Sequence, residues 1–153
     1  MDRAKIIDLK KDESFISQYV DLRNRYVELL LSNLVTVTET KKWLTDEDVE
    51  VRCLIEDNVL IGAVILYMKK KGEVAIFVKD QKRGIGTKLL NVIEKVAKEK
   101  NLNGVWAWVL KDNFIAQRVF EKNGFIKEAL SERKYKGLVK QGFKYKKLLA
   151  YNL

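Results

Sequence analysis

The sequence of 153 residues contains no histidine, no proline and a single cysteine. Without histidine, the chain can hold neither a Ser-His or Cys-His nucleophilic site nor a histidine-based metal centre. Any chemistry must therefore run on carboxylates, tyrosines, lysines, backbone amides and water. Cys53 cannot form an internal disulfide, and it stands in the alternating apolar run 51–55. That position predicts a buried strand thiol rather than a nucleophile.

Long apolar runs are also missing. The longest, such as residues 60–67, are far too short to cross a membrane. Residues 1–12 are polar and lack the apolar core of a signal peptide. With 47% hydrophobic and 33% charged residues, the composition is that of a folded protein, and the length suits one domain over residues 1–153. We therefore expect a single-domain cytoplasmic protein that does not associate with membranes.

The formal net charge of +9 suggests an anionic partner. The lysines are spread along the whole chain instead of forming one basic tract. Nucleic acid, a phosphorylated cofactor and simple solubility are each compatible with such a distribution.

Hydrophobic periodicity predicts a mixed α/β domain with the order β-α-α-β-β-β-α-β-α-β-β. The expected strands are 4–9, 49–56, 59–68, 73–78, 105–110, 125–135 and 143–151. Asp112 or Asn113 is expected to cap the last helix, and the final two strands should form a hairpin across a loop at 137–142. The strand, helix and strand that begin at residue 73 predict a right-handed crossover and a parallel pair in the middle of the sheet.

A basic, glycine-bearing turn at 78–87 joins the strand 73–78 to a long amphipathic helix. The first amides of a helix have no intrahelical acceptor, and the helix dipole favours an anion in front of them. Gly84 and Gly86 let the backbone approach such a ligand closely. Three cations add positive charge to the turn: Lys82, Arg83 and Lys88. The turn therefore predicts a phosphate site, although glycines used only for tight packing would look the same.

Two motifs carry a resemblance to a known family. The first is Gln81-Lys82-Arg83-Gly84-Ile85-Gly86, and the second runs from Asn113 through Ala116 to Glu121-Lys122-Asn123-Gly124-Phe125. By these motifs the sequence resembles the GNAT superfamily of acyl-CoA-dependent N-acyltransferases over about residues 50–153. The N-terminal third is only compatible with it. The resemblance implies a mostly antiparallel sheet with helices on both faces and a central parallel pair that splays apart at the cofactor site.

The resemblance also implies acetyl-CoA as the cofactor. Backbone amides of 83–88 would hold its pyrophosphate, and Phe77 and Val78 would bond the pantetheine arm as an added strand would. Asn113 and Lys122 would contact the lower arm or the nucleotide. The implied cofactor-binding residues are Phe77, Val78, Gln81, Lys82, Arg83, Gly84, Ile85, Gly86, Thr87, Lys88, Asn113, Ala116, Phe120 and Lys122.

The chemistry that the family implies is attack of an amine on a thioester. An alkyl ammonium has a pKa of about 10.4, so it must first lose a proton, and a carboxylate is the natural acceptor in a chain without histidine. Glu73 opens the strand that leads to the turn, a position where several relatives carry a base, and the resemblance therefore implies it as the base; an exposed hairpin residue after Gly72 is the other interpretation. An amide of Phe77 or Val78 would stabilise the oxyanion that forms.

One departure from the family pattern concerns the general acid. Relatives often carry a tyrosine at the position of Phe120, where its hydroxyl protonates the leaving thiolate. Phe120 cannot do this, so the role passes to another group such as Tyr135, or to water. A thiol with a pKa of about 8.5 leaves tolerably without an acid. The same departure also fits a non-catalytic acyl-CoA-binding domain.

The acceptor is predicted from the N-terminal third. Arg23, Asn24 and Trp43 look like the opening of GNAT members that acetylate amino-sugar nucleotides or protein N-termini. Arg23 would pair with a phosphate and Trp43 would stack on a ring, although core packing and a surface salt bridge explain them as well. We expect a small-molecule amine as the acceptor, with a protein N-terminus as the alternative. A monomer and a homodimer are both compatible with the sequence.

Nucleic acid is the least expected partner. No recognised nucleic-acid motif is present, and Trp106 and Trp108 alternate on a strand face that a sheet core would claim.

Overall fold

A computed structural model describes residues 4–79 and 84–149 and contains one seven-stranded sheet, in the order β1-β2-β3-β4-β5-β7-β6. The strands are β1 (Ala4–Asp8), β2 (Val49–Glu56), β3 (Val59–Tyr67), β4 (Glu73–Val78), β5 (Gly104–Leu110), β6 (Ile126–Tyr135) and β7 (Leu138–Leu148). The helices are α1 (Ile16–Asn24), α2 (Val27–Leu30), α3 (Val37–Trp43), α4 (Ile85–Glu99) and α5 (Phe114–Lys122). Single 3-10 turns lie at Glu13–Phe15 and Met68–Lys70.

Local side-chain chemistry sets where α3 and α5 begin. Thr36 and Glu39 form a capping box at the start of α3, because each side chain accepts a hydrogen bond from the other's backbone amide. Asn113 caps α5 by accepting from the amide of Ala116 at 3.2 Å. The first predicted helix is instead divided into α1 and α2 at Arg25 and Tyr26. Tyr26 there turns toward the sheet and bonds to β4, a tertiary contact that local periodicity does not report.

The parallel pair lies where it was predicted and is very short. β4 and β5 pair at one position only, Glu73 with Trp106, whereas all other neighbours in the sheet are antiparallel. Beyond that position the two strands diverge. The splayed central pair implied by the family resemblance is therefore confirmed.

The predicted loop at 137–142 is wrong. Lys136 and Gly137 both have positive φ values, 50° and 76°, and form a two-residue hairpin turn between Tyr135 and Leu138. Residues 138–142 consequently belong to β7 and extend the hairpin by five residues.

Helices cover both faces of the sheet, as expected. One core lies beneath α4 and α5, and a second lies beneath α1 and α3. The second core takes its sheet residues from β1 to β4 alone. Cys53 is fully buried in it, which confirms the predicted strand thiol, and burial raises the pKa of that thiol.

The prediction that the core claims Trp106 and Trp108 is wrong. Val105, Ala107 and Val109 are the buried residues of β5 and face α4 and α5, while both tryptophans lie half-buried on the opposite face. The reason is the two-residue period of a strand combined with the position of α1 and α3, which stop short of β5 on that side.

Candidate active site

The divergence of β4 and β5 opens a gap in the middle of the sheet. A cavity of about 40 Å³ occupies it, lined by Tyr26, Leu29, Leu30, Ile76, Phe77, Val78, Gly86, Asn113, Ala116 and Val119. A second cavity of about 60 Å³ shares five of those lining residues and extends to Glu73 and Arg133. The two cavities adjoin each other between β4 and β5, and we call them together the passage; Glu73 lines the second one.

Backbone groups of β4 face this passage. The amide of Lys79 donates to the carbonyl of Ile61 on β3 at 2.7 Å, and alternation gives Phe77 the same orientation. The backbone groups of Ile76 and Val78 therefore point away from β3, into the gap. The Val78 carbonyl already accepts the Tyr26 hydroxyl at 2.6 Å. As backbone partners for an extended ligand, the structure thus favours Ile76 and Val78 over the predicted pair of Phe77 and Val78; only the alternation of the strand could have revealed Ile76.

The N-terminus of α4 stands beside the same gap. Gly84 is left-handed, with φ at 68°, and α4 begins there without a side-chain cap. A Cβ at Gly84 would meet no atom of residues 4–79 and 84–149 within 4 Å, whereas one at Gly86 would lie 3.1 Å from Cγ1 of Val119. Gly86 therefore lets α4 approach α5 closely. Of the predicted phosphate-binding residues, Gln81, Lys82 and Arg83 lie outside the described residues.

The side chains around the first turn of α4 are linked to α5. Thr87 accepts a hydrogen bond from the amide group of Asn123 at 3.1 Å, and Lys88 is exposed on the next turn. Ile85 is buried in the core beneath α4. Ala116, near the N-terminal end of α5, lines both cavities, and Lys122 at the C-terminal end is exposed.

Phe120 is a core residue at the wall of the second cavity. It is 2% exposed and packs against Phe125 and Tyr145, with ring centroids 5.0 and 6.0 Å away. Tyr145 donates to Glu121 at 3.1 Å, and burial together with this hydrogen bond raises the pKa of Tyr145 to about 12. Tyr135, the predicted acid, donates its hydroxyl to the carbonyl of Ser32 at 2.8 Å.

Glu73 is the carboxylate that lines the second cavity of the passage. It is 8% exposed, so it is not the exposed hairpin residue of the alternative interpretation. Its Oε2 lies 2.7 Å from Nη2 of Arg133 on β6. The Arg133 guanidinium also lies over Trp106 and Trp108, at 5.5 and 5.0 Å from the ring centroids. No local pattern marks Arg133, because it follows Glu73 by 60 residues and only the pairing of β5, β7 and β6 brings it there.

Arg23 lies on the α1 side and is held by aromatic residues. Its Nη1 donates to the hydroxyl of Tyr19 at 3.0 Å, and its guanidinium lies 5.1 Å from the ring centroid of Trp43. Burial raises the pKa of Tyr67, and the neighbouring Arg23 opposes that rise. Among the described residues, no carboxylate lies within ion-pair distance of Arg23, and its buried Nε has no hydrogen-bond partner.

The contacts of Asn24 are those of a structural residue. Its side-chain amide donates to the carbonyl of Val35, and its side-chain oxygen accepts from the amide of Val35, both at 2.9 Å. These bonds fix the segment between α2 and α3 against α1. Both polar groups are thereby used within the chain.

Residues 4–79 and 84–149 include no group of three or more cysteine and acidic side chains that could hold a metal ion. No helix within those same ranges is long and apolar enough to cross a membrane.

Comparison with known proteins gives a family and many structural neighbours. A sequence model of the Acetyltransferase (GNAT) family matches residues 16–125. The structure of yncA from Salmonella typhimurium with its cofactor acetyl-CoA superposes with a TM-score of 0.84 at 16% identity, covering 98% of this chain and 96% of that one. No curated protein matches the sequence.

Two further neighbours have described acceptors. Ribosomal-protein-alanine N-acetyltransferase from Brucella melitensis has a TM-score of 0.81 at 17% identity, covering 95% of this chain and 99% of that one. Spermidine N-acetyltransferase from Vibrio cholerae, in complex with CoA and spermine, has a TM-score of 0.80 at 16% identity and covers 96% of each chain. At such identities the likeness establishes the fold, and the acceptors of these neighbours differ from one another.

Proposed function

Because the chain belongs to the GNAT family of acetyltransferases, which use acetyl-CoA as acetyl donor, we propose that its acceptor is the primary amine of a small molecule. An amino-sugar nucleotide is the acceptor we favour, and a protein N-terminus is the alternative. The observation that carries the proposal is the passage between β4 and β5, which leads from the N-terminus of α4 to the buried carboxylate of Glu73. A small amine can reach that carboxylate from one side of the sheet while the cofactor enters from the other.

The residues around the gap suit the cofactor. The outward backbone groups of Ile76 and Val78 offer strand-like hydrogen bonds to a pantetheine amide. The first turn of α4, which begins at the left-handed Gly84 with no side-chain cap among the described residues, suits a diphosphate. When bound, acetyl-CoA supplies a thioester carbonyl that an amine can attack. Asn113 and Ala116 would then line the arm from the α5 side.

Glu73 is our candidate for the general base. The attacking nitrogen must be neutral, so one proton leaves the ammonium and passes to the carboxylate, directly or through water. The nitrogen would then bond to the acetyl carbon and lose its second proton to water, while the bond from that carbon to sulfur would break. Arg133 holds Oε2 of Glu73 at 2.7 Å and so fixes the orientation of the carboxylate.

The leaving thiolate takes its proton from water in our proposal. Phe120 has no hydroxyl, and the hydroxyl of Tyr135 is engaged with the carbonyl of Ser32. Tyr135 would have to release that carbonyl before it could act as the acid. A Tyr135→Phe variant with unchanged kcat would leave water as the proton source.

The test has two stages. Acetyl-CoA and coenzyme A should raise the melting temperature of the protein, since each binds the folded state. Thiol release is then measured across a panel of amines: amino sugars and their nucleotide conjugates, spermidine, and peptides that begin with Ala or Ser. Stabilisation without thiol release from any amine would indicate a non-catalytic acyl-CoA-binding domain, and stabilisation by an oligonucleotide alone would refute the proposal.

A further inference from the structure

The half-buried side of β5 continues across β7 and β6 as a cationic surface. Residues directly opposite each other in antiparallel strands point to the same face. Lys146 is opposite Trp106, Lys144 is opposite Trp108, and Lys140 is opposite Arg133. We call this surface the tryptophan face: Trp106, Trp108, Arg133, Lys140, Lys144 and Lys146. No acidic residue occupies a paired position on this face among the described parts of β5, β6 and β7.

The two indole rings are fixed in place. The Trp108 ring lies flat over β7, because a Cβ at Gly142 would lie 2.6 Å from its Cζ2 atom. Its Nε1 donates to the hydroxyl of Ser131 at 2.9 Å. Trp106 donates instead to the carbonyl of Lys70 at 2.8 Å. Each ring therefore presents a preorganised surface at little entropic cost.

The cations of this face are poorly neutralised. Lys144 lies 4.6 Å from the ring centroid of Trp106, and Arg133 has Glu73 as its ion-pair partner. Within the parts of the chain that the structure describes, no carboxylate lies within 4 Å of Lys140, Lys144 or Lys146. A surface shaped only for solubility mixes both signs of charge. The paired positions of this face instead carry one sign, which favours an anionic ligand.

A groove extends the face beyond Trp106. Its volume is about 280 Å³, and its lining is mostly apolar with lysines at the rim: Lys71, Leu102, Asn103, Gly104, Val105, Trp106, Lys146 and Leu148. A ring-bearing group with a phosphate matches apolar walls that are bordered by ammonium groups.

The tryptophan face begins at the carboxylate of the proposed site. Trp106 is the strand partner of Glu73, and Arg133 touches Glu73 and both tryptophans. On the other side of the passage, Arg23 is enclosed by Tyr19 and Trp43. If the amine of the acceptor is at Glu73, the rest of the acceptor therefore extends over Trp106 and Trp108.

We propose that the tryptophan face is the subsite for a phosphorylated, ring-bearing tail of the acceptor. The inference rests on the proposed function, since it places the amine at Glu73. It narrows the acceptor from any small amine to one joined to a phosphate or diphosphate group. Trp106 and the groove beside it hold the ring, and Lys144 and Lys146 hold the phosphate.

The first experiment compares one amino sugar in three forms: free, as its 1-phosphate and as its UDP conjugate. The value of kcat/KM should rise by about tenfold or more from the free to the UDP-linked form, since contacts of charged groups of this kind separate ligands by that factor. Low ionic strength should enlarge the difference, because exposed charges are screened by salt. Equal values of kcat/KM for the three forms would overturn the proposal.

The second experiment removes the charge. The double variant Lys144→Gln/Lys146→Gln should raise the KM of the UDP-linked acceptor by about tenfold and leave turnover of the free amino sugar unchanged. The matched control is Lys127→Gln/Lys134→Gln, because Lys127 and Lys134 lie on β6 but on the opposite face, where Lys127 packs on Phe143. An equal loss in the control would overturn the proposal, since net charge alone would then be the cause.

A binding measurement separates this inference from the activity. UDP should quench tryptophan fluorescence while the cofactor site is saturated with coenzyme A, and Trp106→Leu should reduce the quenching. If UDP binds but no amine releases thiol, the subsite stands and the proposed activity fails. If amines react but UDP neither binds nor improves the acceptor, the activity stands and the subsite is overturned. Binding of a single-stranded oligonucleotide through Lys144 and Lys146, with no gain for phosphorylated acceptors, would also overturn it.

Discussion

The passage is bordered by α1 on one side, which we call the closed wall, and by the β6–β7 hairpin on the other, which we call the open wall. Both walls carry an arginine beside tryptophan, but the two arginines have different roles. On the α1 side, a cluster is formed by Arg23, Trp43 and Tyr19. Both polar groups of the Asn24 side chain are hydrogen-bonded to the backbone of Val35. On the hairpin side, Arg133 and two tryptophans lie at an open surface with unneutralised lysines around them. An arginine beside a tryptophan is thus a packing unit on one wall and a candidate ligand surface on the other. The difference lies in the partner of each arginine: Arg23 donates to the buried Tyr19, whereas Arg133 pairs with the carboxylate of the proposed site.

The largest effect is expected where the two walls meet, at Glu73. Glu73→Gln should lower kcat by about 10² or more at neutral pH, because general-base contributions are of that order. Affinity for acetyl-CoA should be unchanged in a thermal-shift titration. Glu132→Gln is the control, since Glu132 is exposed on β6. Full turnover by Glu73→Gln would rule out Glu73 as the general base. The hairpin side would then no longer lie next to the reacting amine.

The closed wall should respond in stability. Asn24→Ala leaves the amide and carbonyl of Val35 without their partner, which we expect to cost about 2 kcal/mol in the free energy of unfolding. Urea denaturation measures it, with Asn91→Ala as the control because Asn91 is exposed on α4. A stable Asn24→Ala variant with a raised acceptor KM would contradict the structural role and make the two walls equivalent.

The open wall depends on Gly142. An added methyl group would collide with Trp108 and with the carbonyl of Val109. The Val109 carbonyl is part of the backbone, so it cannot move aside as a flexible side chain could. Gly142→Ala should therefore destabilise the protein by about 1–3 kcal/mol and shift its tryptophan emission. It should also weaken UDP-linked acceptors more than free amines. Unchanged emission would show that Trp108 does not lie flat on β7.

The smallest expected effect concerns the exclusion of water from the core under α1 and α3, which is reported by the Cys53 thiol. Burial raises the pKa of Cys53, so the folded thiol keeps its proton after the unfolded thiol, with a pKa of about 8.5, has lost it. The unfolded state then binds fewer protons, and stability falls as pH rises above about 8.5, by at most about 1.4 kcal/mol per pH unit.

Cys53→Ala should remove that part of the slope in denaturation curves measured between neutral and alkaline pH. The native protein should also react with a thiol reagent far more slowly than the urea-unfolded chain does. Rapid labelling of the native protein would show that the α1 wall opens readily.

Much of the fold was predictable because its signals are local. The strand alternation, the capping residues Thr36 and Asn113 and the period of α4 all report on near neighbours. The hairpin turn was misplaced for two reasons. Lys136 is an unusual residue for a positive φ, and Gly142, a second glycine, made the predicted loop five residues too long. Gly142 is needed instead for its contact with Trp108.

The candidate site was predictable only in part. The two glycine-bearing motifs and Glu73 could be found because each is read within a short stretch of chain. Ile76 required the orientation of β4, and Arg133 required strand order, since β7 intervenes between β5 and β6. The roles of Arg23 and Asn24 depended on neighbours that only folding supplies.

The sequence by itself determined the order of the elements, the glycine turn before α4 and the absence of histidine chemistry, because these depend on residue identity and on contacts a few positions apart. The tertiary structure decided which face of β5 is covered, which backbone groups of β4 meet the gap and which arginine reaches Glu73. Those are consequences of long-range pairing and of where helices stop covering the sheet. No local pattern encodes them.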